Sequence, residues 1–316
     1  MRFLHRAARA GLALCAFAAP SALVPARAQP ASDTVAFYFA AHEDDWQLFM
    51  NPSAFQDVLG RSRKTVFVHM TAGDAGLGTG TGGRKHPLYL ARENGAEAAI
   101  RFMADSAGAA LRESGHVEIN GHSLYRVSYR NAVSYFMRVP DGNGDGAGFP
   151  GTDFQSLKRL AGGEIRTLTA VDGSTVYRGW QDLVATVRAI LEHERGGAPA
   201  VQLHVAETDT RLNPDDHSDH LMTAQAALDA SQGIGCAERI HYVDYASARL
   251  PENLSLELRD MESVVFAVTL SGVQALDHST AWQRYKHSFV GRNYFRVEKA
   301  QGRCGGGGKE WAKAKP

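Results

Sequence analysis

Two short polar segments combine imidazole and carboxylate side chains at spacings that suit a metal ion. The first, "AAHEDDW" at residues 40–46, carries His42, Asp44 and Asp45. The second, "NPDDHSDH" at residues 213–220, carries His217 and His220. Imidazole and carboxylate are ligands that suit zinc, and a catalytic zinc takes three protein ligands and keeps one position open. The two segments are therefore candidate parts of one metal site.

The spacing within the first segment separates two kinds of role. His42 and Asp45 are three residues apart, so in a turn or at a helix start both can face one ion. Asp44 would then face elsewhere and could act on a water molecule. Three like-placed acids beside an imidazole are costly at the end of a buried strand unless a positive charge neutralises them. A cation among these side chains would remove that cost.

The second segment repeats the three-residue spacing just before a predicted helix. His217 and His220 can both face the same cavity there,. Together the segments predict a His/Asp/His metal site with one acid and one histidine left for proton transfer. Each segment alone also has a simpler interpretation, because such pairs arise by chance and Asp215 or Asp216 could merely cap the helix.

The elements that must position these residues alternate between strand and helix. Four runs rich in valine, isoleucine or aromatic residues are predicted strands: Thr34–Phe39, Thr65–Met70, Val201–Val205 and Ile240–Val243,. Four longer patterns are predicted helices: Leu88–Ala110, Trp180–Glu194, Leu221–Ala230 and Met261–Leu276. This alternation predicts an α/β fold with a mostly parallel sheet and helices on both faces. Both polar segments follow predicted strands, where ligands bind in open parallel sheets.

The centre of the chain, roughly residues 117 to 171, follows a different pattern. Leu124–Tyr129 and Ser134–Val139 are strand-like and lie between glycine-rich loops. We expect an inserted β-hairpin region near the site.

Two glycine-rich motifs admit more than one interpretation. Residues 78–83 match G-x-G-x-x-G, but the loop does not follow its strand tightly, so a loop over the site is favoured over a cofactor loop,. Asp74 would lie at the inner edge of that loop as a candidate substrate contact. Residues 141–146, "DGNGDG", resemble the start of a calcium loop, but its twelfth position is Thr152 and not glutamate,. A glycine-rich turn is the favoured interpretation.

Composition and the first residues bound the class of protein. The chain has 316 residues, with 34 Lys and Arg against 34 Asp and Glu. Residues 1–28 combine a basic start, a short apolar run and "ARA", which predicts a cleaved export signal and a periplasmic or extracellular protein,. Residues 1–28 contain four arginines and no acidic residue, so without them the balance is 30 against 34. This slightly acidic balance argues against nucleic acid as a partner. No later stretch is apolar enough to predict membrane insertion.

The remaining cysteines and the C-terminal residues complete the predicted organisation. Residues 29–303 are predicted to form a single catalytic domain, and residues 304–316, which contain four consecutive glycines, a flexible tail,. In an oxidising compartment Cys236 and Cys304 could pair. Two separate thiols fit the sequence equally well, because geometry decides such pairing.

Six segments give the chain a recognisable order. They are "AHEDD", "LFMNP", "TAGDAG", "YLARENGAEAA", "RVPDGNGDG" and "NPDDHSDH". In that order they resemble the PIG-L/LmbE-like family of zinc-dependent N-deacetylases over roughly residues 35 to 246. The resemblance implies a Rossmann-like α/β fold and hydrolysis of the acetamide of an N-acetylated sugar or glycoconjugate.

The resemblance also implies roles for individual residues. It implies three ligands for one Zn²⁺, or another divalent cation: His42, Asp45 and His220. It implies Asp44 as general base and His217 as the group that stabilises the oxyanion or protonates the leaving amine. Asp219 would hold His217 in its working tautomer, and Arg92 resembles the arginine that holds the substrate.

Two positions depart from the family's "AHPDD" pattern. Glu43 replaces the usual proline and adds a charge, and Trp46 stands where an acid is common. An aromatic ring at Trp46 could offer a stacking face to a sugar. Two alternatives stay open: an amide hydrolase with a non-sugar substrate, and a carbohydrate-binding protein with a degenerate site. Asp44 distinguishes them, because a binding protein has no need of a proton acceptor beside a metal.

Overall fold

The structure is a computed structural model that describes residues 32–60 and 62–300. The predicted export signal at residues 1–28 and the tail at residues 304–316 lie outside this range and stay predictions. Cys236 is disulfide-bonded, while Cys304 lies outside the described residues. Within the described part of the chain, no helix combines the length and apolar character needed to cross a membrane.

Ten strands are described, and eight of them form one sheet. The strands are β1 (Thr34–Ala40), β2 (Arg63–Thr71), β3 (Arg112–Ile119), β4 (His122–Tyr129), β5 (Ala132–Val139), β6 (Leu168–Thr169), β7 (Val176–Tyr177), β8 (Ala200–Ala206), β9 (Ala237–Tyr242) and β10 (Phe295–Glu298). The large sheet has the order β10-β9-β8-β1-β2-β5-β4-β3, and β6 pairs with β7. Strands β9, β8, β1, β2 and β5 run parallel. The outer strands β10, β4 and β3 are antiparallel to their neighbours.

Helices cover both faces of this sheet. The helices are α1 (Asp45–Phe49), α2 (Ser53–Leu59), α3 (Leu88–Asp105), α4 (Leu157–Ala161), α5 (Trp180–Arg195), α6 (Ser218–Ala230), α7 (Leu256–Ala275) and α8 (Trp282–Ser288). Because side chains of a strand alternate between faces, Phe37 and Phe39 of β1 join a core with α4, α5 and α6. Tyr38 of the same strand joins a second core with α1, α2, α3 and α7. The predicted mostly parallel α/β fold is confirmed.

The predicted hairpin region extends this sheet. Strands β3 and β4 pair antiparallel and add to the outer side of β5, so the region continues the sheet at its edge. The predicted helix Leu88–Ala110 is too long, because α3 ends at Asp105 and the chain turns through Gly108 at φ +110° before β3 begins. Helix α6 begins at Ser218, three residues before the predicted start.

The strand order creates the position of the site. In the sheet, β2 and β5 lie on one side of β1, and β8 and β9 lie on its other side. Ligands of open parallel sheets bind beyond the carboxyl ends of strands where this order reverses. Five segments leave the sheet at that end: residues 41–45 after β1, 72–87 after β2, 140–148 after β5, 207–217 after β8 and 243–249 after β9.

Candidate active site

The turn after β1 fixes His42 and Asp45 on one side of the chain. Helix α1 begins at Asp45, and the Asp45 Oδ2 atom accepts a 2.7 Å hydrogen bond from the His42 backbone N–H. Both side chains are buried, with 6% and 4% exposure. The three-residue spacing therefore brings imidazole and carboxylate together, as the sequence predicts, and Asp44 precedes the helix as its N-cap residue.

Helix α6 brings His220 to the same point. The His220 Nε2 atom lies 3.3 Å from Asp45 Oδ1, and His42 Nδ1 lies 3.5 Å from Asp45 Oδ2. His42, Asp45 and His220 each offer a ligand atom, and these atoms lie within 4.8 Å of one another. The Nε2 atoms of both histidines are buried without a hydrogen-bond partner. Unpartnered imidazole nitrogens beside a carboxylate fit a divalent cation, so this group could hold one.

A second group shares His42. It comprises His42, Asp141, His217 and Asp219, whose ligand atoms also lie within 4.8 Å of one another. The His217 Nδ1 atom already accepts a hydrogen bond from the Asp219 N–H, and Asp219 Oδ2 accepts one from the Gly142 N–H. Engaged atoms do not separate the two groups, because Asp45 Oδ2 also accepts a hydrogen bond, from the His42 N–H. The His42, Asp45 and His220 group is the better candidate because two imidazoles and one carboxylate form the three-ligand set typical of a catalytic zinc.

Two carboxylates support His220 from behind. The His220 Nδ1 atom lies 2.9 Å from Asp216 Oδ1 and 3.3 Å from Asp244 Oδ2. Although burial opposes protonation, the charges of Asp216 and Asp45 raise the pKa of His220 well above its ordinary value. A carboxylate that accepts from Nδ1–H fixes the tautomer with Nε2 free, which is the arrangement typical of a metal-binding histidine.

Helix α6 occupies one ring nitrogen of His217, Nδ1, and leaves the other, Nε2, as a hydrogen-bond donor. It is the N-cap of α6, and its Nδ1 accepts from the Asp219 backbone N–H at 3.1 Å. The neutral ring then carries its proton on Nε2. Burial, together with the nearby His42 charge, lowers the pKa of His217 to about 4. The prediction that Asp219 holds the tautomer needs a correction: the Asp219 backbone amide does so, since its carboxylate is 3.9 Å from Nδ1.

Arg92 is paired with two neighbouring acids. From α3, its Nε donates to Glu43 Oε2 at 3.0 Å, and its Nη2 donates to Asp44 Oδ1. Burial raises the pKa of Glu43 to about 8, and the Arg92 charge opposes that rise. Arg92 was predicted to hold the substrate; the structure places it at the cavity but with its guanidinium already bonded to protein carboxylates.

Two predicted substrate contacts lie away from the cavity. Trp46 is 0% exposed and packs against Phe67 with ring centroids 4.7 Å apart, because it lies on the buried face of α1. It offers no stacking face to a ligand. Asp74 is also 0% exposed, and its carboxylate accepts from the Gly78 and Asp141 backbone N–H groups. Its role is to join the two glycine-rich loops.

The loop "DGNGDG" is a turn, as favoured. Its Asp141 Oδ1 accepts from Asn143 N–H and its Asp145 Oδ1 from Ala147 N–H, each at 2.9 Å. Such bonds are typical of turns. The new finding is that Asp141 lines the cavity.

A cavity of about 170 Å³ joins these groups. Charged or polar side chains and apolar or aromatic ones both line it: His42, Asp44, Asp45, Leu48, Phe49, Arg92, Asp141, His217, Tyr245, Tyr285 and Phe289. We call Phe49, Tyr245, Tyr285 and Phe289 the aromatic wall. Its rings contact one another, with Tyr245 stacked on Phe289 at 5.6 Å.

Sequence reasoning missed several of these residues. Asp141 and Asp244 follow the predicted strands Ser134–Val139 and Ile240–Val243, so the rule that ligands bind at strand carboxyl ends could have found them. Tyr285 and Phe289, at α8 and just after it, gave no such signal.

Comparisons with known proteins find a likeness among solved structures. No family model and no curated protein matches the chain. A similar solved structure is an N,N'-diacetylchitobiose deacetylase from Pyrococcus horikoshii, complexed with its inhibitor MPG. The TM-score is 0.45 at 13% identity, over 85% of this chain and 84% of that chain.

Proposed function

We propose that this chain is a divalent-metal-dependent hydrolase that removes the acetyl group from an N-acetylated sugar. One observation carries the proposal: His42, Asp44, Asp45 and His217 line one cavity, and His220 lies within ligand distance of His42 and Asp45. A proton acceptor, a polar N–H donor and a cation-binding group are the parts that amide hydrolysis requires.

His42, Asp45 and His220 would hold the cation, with zinc the metal that this ligand set suits best. When bound, such a cation polarises a carbonyl oxygen and makes hydroxide available from water near neutral pH. The remaining groups of the site belong to the chain itself.

Asp44 serves as the general base. Its carboxylate accepts a proton from water as the water oxygen bonds to the acetamide carbonyl carbon. The His217 ring, with Nδ1 occupied by the Asp219 N–H, directs its Nε2–H as a donor to the oxygen that becomes negative. A proton then passes from Asp44 or His217 to the nitrogen as the carbon–nitrogen bond breaks. The products are acetate and a free amine.

The aromatic wall supports a sugar as the substrate. Tyr245 and Tyr285 are partly exposed, whereas Phe49 and Phe289 are buried beneath them. An aromatic face with a hydroxyl at its edge suits a ring that has apolar C–H faces and polar edges. An anionic substrate fits less well, because Arg92 is already paired with Glu43 and Asp44 and Asp141 adds negative charge.

The test is metal content and acetate release from the purified chain with a panel of N-acetylated sugars and non-sugar amides. We expect a bound divalent cation and sugar turnover. Asp44→Asn should keep the metal and lose about 100-fold or more in kcat, whereas His220→Ala should lose both. His193→Ala is the matched control, because that side chain is 59% exposed.

Each other outcome selects an alternative. Turnover of non-sugar amides alone would favour the broader amide hydrolase. Metal and sugar binding without any turnover would favour a binding protein. Full metal content and activity in His220→Ala would contradict the ligand assignment.

A further inference from the structure

Glu43 is buried and directly precedes the proposed base, Asp44, in the chain. Its hydrogen-bond partner, Arg92, also donates a hydrogen bond to Asp44. We propose that Glu43 is a positioning residue that holds Arg92 so that one oxygen of Asp44 stays free for proton transfer. This inference rests on the proposed function, because it takes Asp44 as the general base.

Glu43 and Asp44 are both hydrogen-bonded to the guanidinium group of Arg92. Glu43 is 1% exposed, and its Oε2 accepts from Arg92 Nε at 3.0 Å. The Nη2 atom of Arg92 donates to Asp44 Oδ1. Arg92 thus bonds to two adjacent residues through two different nitrogens.

This division limits what Arg92 can do to Asp44. A free guanidinium prefers to bind a carboxylate through two parallel N–H bonds, which would occupy both oxygens. With Nε held by Glu43, the side-on pairing through Nε and Nη2 is closed to Asp44, and Arg92 donates to Asp44 through Nη2 alone. Asp44 lines the cavity, so its second oxygen, Oδ2, is then left for the proton that a base must accept.

Gly73 leaves space for the Glu43–Arg92 pair. Gly73, at φ +49°, adopts a backbone conformation that favours glycine,. A Cβ atom there would lie 2.5 Å from Arg92 Nε and 2.8 Å from Glu43 Oε2, too close for either. The Glu43 backbone carbonyl accepts from Gln47 Nε2 at 2.7 Å. The absence of a side chain at Gly73 makes room for the Glu43–Arg92 bond.

The Glu43–Arg92 bond needs an oxygen acceptor at residue 43, and two substitutions separate that need from volume. Glu43→Gln keeps an oxygen that can accept from Arg92 Nε. Glu43→Met has a similar unbranched shape but no comparable acceptor. The two variants are therefore a matched pair.

Steady-state kinetics of the full chain on an N-acetylated monosaccharide test the proposal. We expect Glu43→Met to lower kcat about tenfold or more with KM nearly unchanged. Glu43→Gln should stay within about threefold of the native kcat. Metal content should equal that of the native chain in both variants, since neither removes a ligand. Gly73→Ala, which displaces Arg92 by contact, should lower kcat in the same way.

A second readout needs no turnover. The ¹⁵N–¹H resonance of Arg92 Nε, assigned with Arg92→Lys, should match the native resonance in Glu43→Gln and shift in Glu43→Met and Gly73→Ala. A Glu43→Met chain with native kcat, or with an unchanged Arg92 resonance, would overturn the proposal. If the native chain releases no acetate from any substrate, the proposed function fails instead, and the resonance alone decides whether Glu43 holds Arg92.

Discussion

At the scale of single residues, each histidine of the candidate cation-binding group has a separate structural constraint. His42 is fixed by its own backbone bond to Asp45, whereas His220 is fixed through Nδ1 by Asp216. The three-residue spacing within each polar segment predicted which side chains meet, but it could not show which of their atoms would face a bound cation. The positions of the supporting acids Asp216 and Asp244 depend on the paths of the loops after β8 and β9. No sequence motif therefore identified Asp244.

Replacement of Asp216 tests the support of His220. Asp216→Asn should weaken metal binding about 10- to 100-fold, because an amide holds the Nδ1–H less strongly than a carboxylate does. Competition against a chelator of known affinity measures the change. Asp215→Asn is the control, since that neighbour is 74% exposed and pairs with Arg249. Equal metal affinity in all three proteins would contradict this role.

At the scale of elements, strands were easier to predict than helix ends. Buried apolar runs placed β1 and β8 to within one residue because both are enclosed by neighbouring strands. Strand β9 begins at Ala237, three residues before its predicted start. Helix α7 begins at Leu256, five residues before its predicted start, because Ser255 caps it by accepting from the Leu258 N–H. Helix α8 was not predicted: it has seven residues and no fully buried face.

The aromatic wall gives α8 a testable function. Tyr285→Ala should raise KM for an N-acetylated monosaccharide about tenfold with kcat retained, because the ring contacts the sugar and not the reacting atoms. Tyr285→Phe should have a smaller effect, about fivefold, because it removes one hydrogen-bonding hydroxyl.

The control for the wall is Tyr294→Phe, whose hydroxyl donates to the Pro251 carbonyl outside the cavity. Native kinetics are expected there. A Tyr285→Ala chain with native KM would show that α8 does not contact the substrate.

At the scale of the whole molecule, the two cores also bury histidines that the site does not use. His69 stacks on Phe136 at 4.7 Å, and neither ring nitrogen has a hydrogen-bond partner. Burial lowers the pKa of His69 to about 4, and that of His204 to about 3. The predicted strands Thr65–Met70 and Val201–Val205 contain these two positions, but only packing shows how fully each imidazole is desolvated.

Each of these buried histidines contributes to the pH dependence of stability. The unfolded chain takes up protons near pH 6.5, while the folded chain holds His69 neutral down to about pH 4. At His69 the unfolded state therefore binds more protons in this window, so the His69 contribution to the free energy of unfolding should fall as pH decreases from about 6.5 to about 4. Glu43 and Glu93, whose pKa values burial raises to about 8 and about 7, act in the opposite direction.

Urea unfolding across this pH range measures the effect. His69→Phe should reduce the loss of stability at acidic pH, because phenylalanine fills the same space without a proton to bind. His193→Phe, at an exposed position, should leave the pH dependence unchanged. An identical pH dependence in His69→Phe and the native chain would contradict the assignment.

The central claim, that His42, Asp45 and His220 hold a cation needed for amide hydrolysis, is tested most directly by metal removal and return. The native chain, stripped by a chelator, is titrated with Zn²⁺ while acetate release from an N-acetylated monosaccharide is followed. We expect activity to vanish on stripping and to return in full at one equivalent of Zn²⁺ per chain. Undiminished acetate release from the stripped chain would contradict the account.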